Sequence, residues 1–132
     1  MENGVEGQEA VTEIWSPAQE FPVWRRDGLP VIFSPAELDI NNVARLDAAM
    51  LAVASDSARM VVDMTATRFC GCCTLDVLVR AQARARARGG EIRLVVATPM
   101  VRRIFAVTGL SENFSIYPTL TTALSGAPAA DG

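Results

Sequence analysis

A chain of 132 residues, half of them apolar and a fifth charged, has enough apolar surface for one core and is short for two. Its net charge of −3 excludes a chain-wide nucleic-acid footprint, and its twelve positive charges are all arginine. It has no histidine, the commonest general base and the commonest metal ligand, so any catalysis would rest on carboxylates, cysteines or arginines.

Residues 1–20 are polar, acidic and aperiodic apart from Ile14 and Trp15, and read as a flexible N-terminal tail. Glu2, Glu6 and Glu9 stand where a secretory signal would be basic. No apolar run approaches the ~20 residues of a membrane span, so a cytoplasmic protein without membrane insertion is expected. Phe21 to Trp24 and Leu29 to Phe33 read as strands joined by the hairpin signal Asp27-Gly28. Asn41 and Asn42 are placed to cap a helix with Val43, Leu46, Met50 and Leu51 on one face. Met60 to Val62 form an apolar strand ending at Asp63, and a turn-rich segment, Thr65 to Cys73, follows.

The next helix is expected from Thr74 to Arg88, with Leu75, Leu78, Ala81 and Ala85 inward and Gly89-Gly90 stopping it. Ile92 to Val96 is another strand. Thr98-Pro99 is an N-cap followed by proline, starting a helix that carries Met100, Ile104, Phe105 and Val107 and ends at Gly109. Ser115 to Tyr117 is a short strand and Leu120 to Leu124 a last helix. Residues 126–132, all Gly, Ala, Pro and Asp, read as a flexible C-terminal tail. One domain, 21–125, remains, with the order β-β-α-β-α-β-α-β-α. Such alternation implies an α/β fold with a mixed, mostly parallel sheet and about four helices. Its expected core is Val61, Val62, Leu75, Leu78, Ile92, Leu94, Val96, Ile104 and Phe105.

The chemistry-bearing residues crowd one turn. Cys70, Cys72 and Cys73 are too close in sequence to staple distant parts of a fold. Small, weakly polar residues packing a tight turn explain them most simply. A redox role is the sharper alternative, since thiols at a helix N-terminus ionise readily. A metal site or a catalytic cysteine would lack histidine partners. Thr74, just before Leu75, reads as a helix cap. Asp63 is placed to hold turn N–H groups, and Glu37 and Asp39 read as loop residues at the sheet end. Arg80, Arg84 and Arg88 form a stripe spaced by four, with Asp76 placed to pair with Arg80. A solvated face or an acidic partner surface fits that stripe better than nucleic acid, because no aromatics interleave.

An ordered set of segments resembles the STAS family, to which bacterial anti-sigma-factor antagonists belong. Ala36 to Ile40 is similar to its G-E-L-D-I, Arg45-Leu46 to R-L, and Val61 to Met64 to V-V-L-D-L. Phe69 to Leu75 occupies the place of F-x-D-S-S/T-G-L, and Arg84 to Leu94 resembles R-x-A-x-x-x-G-G-x-L-x-L. Val101 to Arg103 and Thr108 to Leu110 are similar to V-R-R and T-G-L. The resemblance spans roughly Leu29 to Leu124. It implies a single STAS-type domain that docks on an anti-sigma factor, often a serine kinase, and so frees a sigma factor. It also implies that a phosphate on the second hydroxyl residue of D-S-S/T-G ends the binding.

In this chain that motif departs from the pattern. Gly71 stands at the acidic position, Cys72 and Cys73 at the hydroxyl positions and Thr74 at the glycine. A Ser/Thr kinase has no hydroxyl to modify at Cys73, and Thr74 is either the cap or a displaced phosphosite. The expectation is a protein-binding regulator that is not an enzyme and needs no cofactor or metal, with Gly71, Cys72, Cys73 and Thr74 in the partner-binding turn. Asp39, Asp63, Asp76 and Arg80 support it. The alternatives are a redox-responsive regulator using Cys70 to Cys73 and a STAS accessory subunit of a transporter complex. Monomer and homodimer both remain open.

Overall fold

In the computed structural model, which describes residues 21–126, the Asp27-Gly28 signal does close a hairpin. β1 (Val23–Arg26) and β2 (Leu29–Phe33) pair antiparallel. Asp27 and Gly28 have φ of 52° and 81°, the two left-handed residues that a two-residue hairpin turn of type I′ requires. β3 (Glu37–Leu38) and α1 (Val43–Ala54) lead to β4 (Arg59–Asp63). β5 (Phe69–Cys70) and α2 (Cys72–Ala87) lead to β6 (Glu91–Val95), and α3 (Pro99–Val107) leads to β7 (Ser115–Tyr117) and α4 (Leu120–Ser125). The main sheet has the order β1-β2-β4-β6-β7, parallel throughout except for β1. β3 and β5 form a separate two-stranded parallel ladder. The expected tails lie outside the described residues, apart from Gly126, which caps α4 with a φ of 72°.

Both faces of the sheet are covered, and strand alternation divides the apolar residues between them. Ile32, Met60, Val62, Ile92, Leu94 and Val96 join the core under α1, α2 and α3. Val31, Val61, Val95 and Tyr117 pack on the other face with Ala123 of α4. Val61 and Val62 are both fully buried, as expected of core residues, but in different layers.

The helices correct several expectations of side-chain direction. α1 buries Val43, Leu46, Ala49, Met50 and Val53, whereas Leu51 is 49% exposed. On α3 the stripe facing the sheet is Val101 and Phe105, one turn apart. Met100 and Val107, seven residues apart, share a different stripe and are 60% and 71% exposed. Ile104 lies between the two and is only partly buried. The asparagines before α1 do not cap it with their side chains. Asn42 is the N-cap residue, but its Oδ1 accepts from Asp39 N–H and its Nδ2 donates to Glu37 O, fastening the loop instead.

α2 buries Leu75, Leu78, Ala81 and Ala85 as its periodicity predicts. It also buries Gln82, whose Oε1 accepts from Ile92 N–H at 2.8 Å while its Nε2 donates to Asn113 O at 2.9 Å. The helix ends as its two glycines predict. Gly90 N–H reaches Ala85 O and Gly89 N–H reaches Arg86 O, with Gly89 at φ 84°. Gly90 has a steric reason as well, since a Cβ there would lie 2.0 Å from Ala58 O. Among the described residues no helix is long and apolar enough to cross a membrane.

Leu78 is fully buried in the larger core cluster. Leu78→Ala is expected to cost about 2–5 kcal/mol in a denaturant melt, and a loss near zero would contradict this register of α2.

Candidate functional site

The turn between β4 and α2 is built from the carboxyl end of the central strand. Asp63 is buried, and its Oδ1 accepts from Thr65 N–H at 2.8 Å and from Thr65 Oγ1 at 2.5 Å. It holds the turn as its position predicts. Buried Thr67 then donates its hydroxyl to Pro35 O, and Thr67 O accepts from Thr98 Oγ1. Thr98 is the N-cap residue of α3, followed by Pro99, but its side chain ties two loops together rather than capping.

The chain next runs beside β3. Glu37 pairs with Phe69 and Leu38 with Cys70, and Gly71 N–H continues the ladder to Leu38 O at 2.9 Å. Glu37 and Leu38 are therefore strand, not loop. Gly71 is the N-cap of α2, and the helix begins at Cys72, two residues earlier than expected. That shift overturns the capping role of Thr74. As the third helical residue it shares a face with Leu78 and Ala81, and it is fully buried. Its Oγ1 has no hydrogen bond of good geometry among the described residues, and Ser34 Oγ is in the same state.

The three thiols are free and differ in environment. Cys72 is exposed, and Cys73 is half-buried against the core. Cys70 is buried, and loss of water pushes its thiol up from 9.0 to about 11. The Thr74 hydroxyl lies near enough to offset part of that rise, although it does not reach hydrogen-bond geometry.

Gly71, Cys72, Cys73 and Thr74 thus lie together, and Asp39 flanks them: a Cβ on Gly71 would meet Leu38 O at 3.7 Å and Asp39 Cα at 3.9 Å. Asp39 Oδ1 accepts from Asn41 N–H, and Asp39 O accepts from Val43 N–H. Asp76 and Arg80 pair at 3.1 Å on the exposed side of α2, where such a pair adds little stability. The arginine stripe is not a free basic face. Arg84 meets Asp47 of α1 at 3.2 Å, and Arg88 donates to Ala54 O at the end of α1. Two apolar side chains of this surface escaped the sequence reading. Ile40 is 75% exposed beside Asp39, and Phe69 is 47% exposed on β5. Their signal was an apolar residue inside a segment otherwise read as polar loop or turn.

The STAS domain profile matches residues 21–123. The chain belongs to the STAS domain family. Anti-sigma-F factor antagonist RsfA of Mycobacterium tuberculosis is 31% identical over 113 residues, which is 83% of this chain and 88% of that protein. A protein of the same species named as an anti-anti-sigma factor, Rv2638, is 45% identical over 65 residues, but the match spans only 44% of its length. The crystal structure of an anti-sigma factor antagonist from Mycobacterium paratuberculosis superposes with a TM-score of 0.74 at 32% identity, covering 80% of this chain and 91% of that one.

Two predictions follow from this geometry. The folded protein holds the Cys70 proton more tightly than the unfolded chain, so stability from this group is complete below about pH 9 and is lost as pH rises toward 11. Melts of the parent and Cys70→Ala across that range should differ in slope, the parent losing about 2–3 kcal/mol more. Parallel slopes would show that Cys70 is not desolvated. At Gly71 a Cβ has ordinary contacts and φ is −80°, so nothing demands glycine. Gly71→Ser should add about 0.5–1 kcal/mol in urea unfolding, by capping α2 and by restricting the unfolded chain.

Proposed function

We propose that this STAS domain is a cytoplasmic anti-sigma factor antagonist that acts by binding rather than by catalysis, docking through the turn Gly71 to Cys73, with Thr74 buried beneath it. The observation that carries this reading is the character of the turn. It is uncharged, it exposes Cys72, and it is flanked by the exposed apolar side chains of Ile40 and Phe69. Such a surface loses little by giving up water, and the names of RsfA and of the Mycobacterium paratuberculosis protein point to an anti-sigma factor as the partner.

The same turn is unsuited to phosphorylation. Cys72 and Cys73 offer no hydroxyl, and the Thr74 hydroxyl is sealed inside the helix-sheet core. A phosphate there would carry about −1.5 to −2 charge into a site without water. The domain is therefore competent to bind without a dephosphorylation step. Incubation with an anti-sigma kinase and ATP, followed by peptide mapping, should leave residues 70–74 unmodified. A phosphate on Thr74 would require α2 to unwind at its first turn.

Docking itself is tested by charge. Cys73→Asp places an unpaired carboxylate in the docking surface, and desolvating it costs several kcal/mol. Calorimetry against the anti-sigma factor should show affinity weakened tenfold or more for Cys73→Asp and almost unchanged for Cys73→Ser, both variants keeping the parent's near-ultraviolet dichroism. Equal affinities would place the turn outside the interface. The exposure of Cys72 favours one second reading, in which a mixed disulfide at that thiol replaces phosphate as the switch. Treatment with oxidised glutathione should then weaken binding by the parent but not by Cys72→Ser.

A further inference from the structure

At the other end of α2, roughly 20 Å along the helix from the cysteine turn, α1 and α2 do not close on each other. The inner face of α2 changes from Leu75 and Leu78 to Ala81 and Ala85, and the opposing wall is Ala54 and Ala58. These short side chains leave a cleft of about 300 Å³ floored by Met50 and Met60. That volume is at the lower end of small-ligand sites, about 300–1,000 Å³, and methionines adapt their shape to an occupant. Leu51, placed by the sequence on the apolar face of α1, is half-exposed at this cleft instead.

The polar side chains lining the cleft are Ser55, Ser57, Arg84 and Arg88, and no carboxylate lines it among the described residues. The serines are engaged locally, Ser55 Oγ with Ala52 O and Ser57 Oγ with Arg59 O. Each guanidinium is steadied by one acceptor of the fold, Arg84 by Asp47 and Arg88 by Ala54 O. A guanidinium carries five N–H donors, so this anchoring orders both groups while leaving donors over. The carboxyl ends of α1 and α2 also point here, and their dipoles oppose an anion. That opposition is blunted, because Ala54 O accepts from Arg88, Ala85 O from Gly90, and Arg86 O from Gly89.

We propose that this cleft binds a small amphipathic anion, an acyl chain of about eight carbons ending in a carboxylate. Its tail lies between Met50, Met60, Ala81 and Ala85, and its carboxylate meets Arg84 and Arg88. An eight-carbon carboxylate has about ten non-hydrogen atoms, a small ligand in keeping with a cleft at the lower end of the size range. The site is independent of the proposed docking turn, so either reading can fail while the other stands.

The test uses the full chain, with octanoate and octan-1-ol as probes and amide chemical shifts as the readout. Octanoate should move the amides of residues 50–58 and 81–88 in a saturable way and leave residues 70–74 in place. It should bind at least tenfold more tightly than octan-1-ol. Arg88→Gln should bring octanoate down to the level of the alcohol, and Ala81→Phe, which fills the cleft, should abolish both. If Ala81→Phe does not fold, Ala54→Leu fills the same space from α1. Equal affinity for acid and alcohol overturns the anionic headgroup, and shifts that do not saturate or that lie elsewhere overturn the site.

Discussion

Everything in this domain is arranged around a central strand, β4, that must be dry on both sides. Val61 and Val62 point to opposite faces and are both fully buried, so helices have to lie over both. A parallel strand cannot reach its neighbour by a tight turn, and the required crossovers supply α1, α2 and α3. α1, α2 and α3 cover one face, and α4 returns to cover the other. Loops that follow the strands then gather at their carboxyl ends, where open α/β sheets place their binding sites.

The turn after β4 is the loop in which that geometry meets function. It is held from three directions: by the Asp63 carboxylate, by the threonine links to Pro35 and Thr98, and by the short ladder with β3. The ladder matters most, because it sets where α2 begins. Starting the helix at Cys72 leaves Cys72 in water, half-buries Cys73 and turns Thr74 into the core. The residue types and the helix register therefore act together: one supplies no hydroxyl at the exposed positions, and the other hides the hydroxyl that is present.

α2 is fastened at its far end by different means. Gln82 completes the hydrogen bonding at the start of β6, Gly90 passes against Ala58 where no side chain fits, and Arg84 and Arg88 bridge to α1. These contacts hold the two helices in place where the inner face of α2 has shrunk to Ala81 and Ala85. The cleft remains between them because short side chains on α2 leave space that the bridges of Arg84 and Arg88 to α1 span at its rim.

Long elements were legible from the residues because burial imposes a period. The hairpin turn needed its two left-handed positions, the α2 core stripe needed residues three and four apart, and the glycine stop needed a residue without Cβ. The ordered STAS-like segments likewise pointed to the family and to the turn. What the chain could not announce is pairing between short distant segments. β3 and β5 are two residues each, too short to carry a period, and they exist only because the turn after β4 brings Phe69-Cys70 beside Glu37-Leu38. That single tertiary contact moved the start of α2, buried Thr74 and set the exposed face of the site. Likewise Leu51 and Met100 are apolar by sequence, and only the packing of neighbouring elements decided that about half of each stays in water.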